Sequence, residues 1–142
     1  MFEIVKYFAH EICPYVKNCL TQTNAGVSNE AADYFYRFVE YAGEQDEEES
    51  AIEYLFAKLQ ITSKLLFYIQ QTADRDQAPR GLASGIRLLT ILTDYPVGRD
   101  IFLDCNMYSL IESLQKVTAL KINDLVEEFV KKLEAYDLLP EE

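Results

Sequence analysis

Apolar residues recur at helical spacing along almost the whole chain. Over residues 2–20, Ile4, Val5, Phe8, Ile12, Tyr15, Val16 and Leu20 line one face of a helix. Pro14 stands inside this run and lacks the donor a helix interior needs, so a kink or a split is expected there. Residues 21–28 are polar and contain Asn24 and Gly26, which reads as a loop. Ser28 is the expected N-cap of the next helix, and Gly43 its C′ stop. Residues 51–73 suit one long helix or two with a bend near 60–62, and 74–79 is a polar break. A helix from 80 to about 95 follows. Pro96 should end it, because the residue before proline avoids the α region. Residues 96–98 read as a turn, 99–104 and 107–117 as short helices, and 122–136 as the last helix. Nothing alternates with the period of a strand, so the expected fold class is all-α.

Laid over one another, the helices repeat. Phe35, Leu89 and Val130 coincide, as do Phe38, Leu92 and Leu133, then Tyr41, Tyr95 and Tyr136. The tyrosines recur at intervals of 54 and then 41 residues. In the preceding helices Ile12, Leu65 and Leu110 align, then Cys13, Leu66 and Ile111, then Val16, Ile69 and Leu114. Units of two or three helices at such a period cannot bury their apolar faces alone, so neighbours are expected to stack. The expected units are residues 1–43, 51–95 and 97–138 of one helical domain, with an acidic insert at 44–49.

The best-preserved unit begins Gly98-Arg99-Asp100-Ile101-Phe102-Leu103-Asp104-Cys105-Asn106-Met107-Tyr108-Ser109-Leu110-Ile111-Glu112-Ser113-Leu114. This segment resembles the armadillo repeat, within the armadillo/HEAT group. The resemblance implies a short right-handed α-solenoid of about two and a half to three repeats. It also implies a groove lined by the third helices. Armadillo proteins that bind extended peptides usually carry a Trp and an Asn four residues apart there. Those places fall here on Asp33 and Arg37, on Arg87 and Ile91, and on Glu128 and Lys132. The chain has no Trp, which argues against recognition of nuclear-import signals.

Charge narrows the partner. Lys plus Arg number 13 against 24 Asp plus Glu, a formal charge of −11, which disfavours nucleic acid and anionic membranes. Five of those acids, Glu44, Asp46, Glu47, Glu48 and Glu49, fall in the insert and would steer a basic segment. No stretch approaches the ~20 apolar residues of a membrane span. The N-terminus has an early acid, Glu3, and does not read as a signal peptide. Cys13, Cys19 and Cys105 are odd in number, without Cys-x-x-Cys spacing, and read as reduced thiols of a cytoplasmic or nuclear protein.

Chemistry-bearing patterns are weak. His10 and Cys13 share a helix face, but two further zinc ligands at a suitable spacing are missing, and Pro14 stands where a His-Glu-x-x-His motif needs its second histidine. The five glycines are scattered and form no phosphate loop. No catalytic residue, cofactor or metal is expected. The expected function is a non-catalytic adaptor that binds another protein's basic or helical segment. Its contact residues are expected to be Asp33, Tyr36, Arg37, Arg87, Asp94, Glu128 and Lys132, with Tyr36 exposed. A self-associating homo-oligomer is the alternative, with Phe2, Tyr7 and Phe8 as an apolar patch. A helical enzyme ranks third.

Overall fold

Helices are the only regular elements among the described residues, 3–105 and 107–139, of the computed structural model. The N-terminal run starts as α1, Glu3–Tyr7. It widens into a π turn, Phe8–Ile12, in which the Cys13 N–H donates to the Phe8 carbonyl. It resumes as α2, Cys13–Cys19, with Pro14 in the first turn. Pro14 is the cause. Its ring would crowd the carbonyl of residue 10 in a regular helix and could not donate to it. The wider turn absorbs that defect, and a helix's first turn has no need of the donor.

Helix α3, Ala25–Glu44, starts earlier and ends later than its sequence signals predict. Asn24 is the N-cap, its side chain accepting from the Val27 N–H at 3.3 Å. Ser28 lies inside the helix, buried, and donates to the Ala25 carbonyl. Gly43 is not the C′ residue. That place belongs to Asp46, whose φ is 58°. The Asp46 and Glu47 N–H groups donate back to the carbonyls of Gly43 and Ala42, closing a Schellman motif. The expected acidic loop is thereby reduced to residues 45–47. Glu48 and Glu49 already belong to α4, Glu48–Glu53.

A second π turn, Tyr54–Lys58, follows without a proline to cause it. Gln60, at φ 55°, ends it at the expected bend. The Lys17 ammonium donates to the Leu59 carbonyl at 2.7 Å and so ties α2 to this corner. Then come α5, Thr62–Asp74, and α6, Arg80–Leu92. Pro96 does not stop α6. It opens α7, Pro96–Asp104, where its fixed φ suits a first turn and its missing N–H costs nothing. The expected turn at 96–98 is therefore helical. The chain closes with α8, Met107–Gln115, and α9, Leu120–Ala135.

Two helices besides α3 end in the same Schellman motif, α5 with Asp76 and α9 with Asp137 in the left-handed conformation. After α9, the Leu138 N–H donates to the Leu133 carbonyl at 2.8 Å, and both side chains are buried. An aspartate pays a backbone cost at such a position that glycine avoids. Asp137→Gly should therefore raise unfolding stability by ~1 kcal/mol in thermal or urea melts. Asp76→Gly should not, because the Asp76 carboxylate accepts from the Thr118 N–H at 2.9 Å and from its hydroxyl at 3.2 Å. Equal gains at both positions would contradict this account.

The core is continuous from α1 to α9. α6 is the main neighbour of both α3 and α9, and α5 packs on α6 and α8. Helix α6 supplies Leu82, Ile86, Leu88, Leu89 and Leu92, all essentially buried. It can approach α3 closely because Gly81 and Ser84 are small. A Cβ on Gly81 would come within 2.4 Å of the Asn29 carbonyl oxygen.

Candidate functional site

The side chains singled out on α3, α6 and α9 fall into two cross-helix clusters. In the first, Ser84 of α6 donates to Asp33 Oδ1 of α3 at 2.6 Å, in the interior. Arg37 Nε holds the other oxygen of Asp33 at 2.8 Å. Asp33 is 6% exposed, so it organises the cluster from below and has no free surface to offer. Tyr36 is half-buried rather than exposed, because the Arg87 guanidinium lies over its ring at 5.9 Å. Arg37 and Arg87 are exposed.

In the second cluster, Lys132 of α9 donates to both oxygens of Asp94, at 2.9 and 3.1 Å. The Tyr136 hydroxyl donates to Asp94 Oδ1 at 3.0 Å. Arg99 covers the Tyr136 ring at 4.9 Å. The hydrogen bond it donates to Asp94 is the main reason the Lys132 ammonium holds its proton above the ordinary lysine range. The pair is open to water, so it contributes orientation more than stability. Glu128 is exposed on α9, one turn before Lys132.

Sequence reasoning missed Ser84 and Arg99 and treated Tyr136 only as a repeat marker. Their roles depend on which helices become neighbours, and spacing along the chain does not show that.

The acidic segment divides in two. Glu44, Asp46 and Glu49 are exposed charges. Glu48 is not free: the Tyr95 hydroxyl donates to its Oε1 at 2.5 Å and joins the start of α4 to the chain after α6. Burial, followed by this bond and the surrounding acids, pushes Tyr95 well above the ordinary tyrosine range. Glu47 is half-buried.

Cys13 is fully buried, and burial pushes its thiol up to about 12, so it stays neutral. The Tyr34 hydroxyl is buried beside it, but the contact falls short of hydrogen-bond geometry and leaves that hydroxyl without a partner among the described residues. Cys19 and Cys105 are half-buried free thiols. His10 is exposed with its ring edge-on to Tyr54, the centroids 4.9 Å apart. Among the described residues no group of three His, Cys, Asp or Glu side chains gathers as metal ligands, and no helix is long and apolar enough to cross a membrane.

Comparison with protein-family models, curated proteins and solved structures finds no match to this chain.

Proposed function

We propose that the chain is a non-catalytic protein–protein interaction module with armadillo/HEAT-like repeat organisation. It binds a helix or extended segment of a partner on the face formed by α3, α6 and α9. The observation that carries this reading is the order of helix neighbours. Each of these helices is the last of its expected repeat unit, and α6 neighbours both of the others. Among the second helices, α5 packs beside α8. Stacked units produce that pattern, because each covers the apolar face its neighbour leaves open. Equivalent positions of successive helices then form a ladder across which a segment can lie.

The two clusters supply both signs of charge to that ladder. Arg37 and Arg87 stand at one end, and Asp94, Lys132 and Glu128 at the other. Such patterning selects partner and register more than it adds affinity. The exposed acids Glu44, Asp46 and Glu49 sit where α3 ends and would draw in a basic partner.

The test is capture from cell lysate by the intact chain, with Arg87→Glu and Lys132→Glu combined in a control. The control should lose the wild-type partner. The affinity of the recovered partner should fall roughly tenfold between about 50 and about 500 mM salt. Undiminished capture by the control would remove the face from the mechanism. An affinity indifferent to salt would remove the acidic steering.

A further inference from the structure

A partly enclosed cavity of about 180 Å³ lies between residues 21–29 and the side of α5. Most of its wall is made of hydroxyl and carboxamide side chains. Of the 24 Asp and Glu in the chain none lines it, and Arg75 is its one charge.

Three of the polar side chains in that wall are more than nine-tenths buried: Ser28 at 7% exposed, Tyr68 at 2% and Thr72 at 8%. Burying polar groups costs free energy unless partners are supplied. Tyr68 has one. Its hydroxyl donates to Asn29 Oδ1 at 2.6 Å, and Gly81 leaves it room, since a Cβ there would stand 2.5 Å from that hydroxyl. The bond fixes the Asn29 amide, whose Nδ2 has no acceptor among the described residues. Ser28 donates to the Ala25 carbonyl and keeps its lone pairs. The Thr72 hydroxyl lies beside that of Tyr68, but no hydrogen bond of proper geometry engages it among the described residues.

Donors and acceptors are thus interleaved around the cavity, and an aromatic ring stands next to them. Phe67, one turn before Gln71 on α5, lines the cavity and is 52% exposed. A neutral ring bearing several hydroxyls matches both features. Its hydroxyls can accept from Asn29 and donate to Ser28 or Thr72, while its C–H face covers Phe67. A free anion fits less well, because Arg75 stands between Asp74 and Asp76 in a chain of charge −11. The volume holds about six waters at ~30 Å³ each, which a single sugar ring can displace while reproducing their hydrogen bonds.

We propose that this cavity is a binding site for one neutral monosaccharide. None of Arg37, Arg87, Asp94, Glu128 and Lys132 lines it, so the site stands or falls apart from the adaptor reading.

The experiment is an amide NMR titration of the intact chain with D-glucose, D-galactose, D-mannose and N-acetyl-D-glucosamine, each to about 20 mM. At least one sugar should shift amides of residues 21–29 and 67–77, with saturation inside that range. Phe67→Ala, at an exposed position, and Thr72→Val, which removes a hydroxyl with little change of shape, should each weaken that binding at least ~5-fold. Circular dichroism melts check that both variants stay folded. A phosphate ester of the sugar that binds should do no better than the sugar itself. No saturable shift with any of the four sugars overturns the proposal and leaves the cavity to water. Binding that either variant retains in full overturns it as well, because the sugar would then sit elsewhere. A phosphate ester that binds at least ~10-fold tighter also overturns it, by making an anion on Arg75 the basis of the site.

Discussion

Gly98→Ala is expected to lower the unfolding free energy by ~3 kcal/mol or more. A Cβ there would stand 1.9 Å from the Leu92 carbonyl oxygen, 2.5 Å from Leu92 Cγ and 2.7 Å from the Leu92 carbonyl carbon. Two of those atoms are backbone and cannot rotate away. Relief would require moving the first turn of α7 off the end of α6, with buried Leu92 between them. Gly81→Ala should also be costly, because α3 would have to withdraw from α6 at the Asn29 backbone. Gly43→Ala is the control. Its nearest neighbour is a Glu48 carboxylate oxygen at 3.3 Å, at the end of a flexible side chain. There the gain in helix propensity, ~0.5–1 kcal/mol, should dominate and stabilise the protein. Urea unfolding of the three variants gives the comparison. A Gly98→Ala loss no larger than ~1 kcal/mol would mean that α7 does not approach α6 this closely.

Phe129→Ala should cost ~3–5 kcal/mol, the range for a buried aromatic truncated without collapse. Phe129 is fully buried on α9, and its ring meets Phe102 of α7 edge to face, with centroids 5.7 Å apart. The pair joins two elements that α8 separates in sequence. Deleting one ring leaves a cavity and removes the edge-to-face contact together. Leu120→Ala, at the 73% exposed start of the same helix, should change stability by no more than ~0.5 kcal/mol. Similar losses at both positions would show that α9 is not docked by the face described.

Helix existence was legible because the apolar positions of each segment keep a helical period. Element ends were less so. Ser28 and Gly43 have the right chemistry for caps, yet Asn24 and Asp46 hold those places. Local preference among Ser, Asn, Asp and Gly is worth about a kcal/mol, and packing of α3 on α6 outweighs it. Pro96 shows the same ambiguity, since a proline that cannot continue one helix is well suited to begin the next. The π turn before Pro14 was half-visible: the disruption followed from proline chemistry, but the form of its relief did not.

The expected contact residues divide along the same line. Arg37, Arg87 and Glu128 are exposed, as expected of polar residues on the outer side of amphipathic helices. Asp33 occupies an equivalent place in the pattern and is buried. No rule along the chain distinguishes them, because Asp33 is covered by a helix fifty residues away in sequence.

By itself the sequence determined that this protein is helical, where its main breaks fall, and which residues make up most of the core. Those properties depend on spacing within a helix turn and on the backbone limits of proline, both local. Only the tertiary structure decided which charges are satisfied internally and which glycines are forced by close approach. Those depend on atoms brought together from segments about forty to fifty residues apart, such as Ser84 with Asp33 and Tyr95 with Glu48.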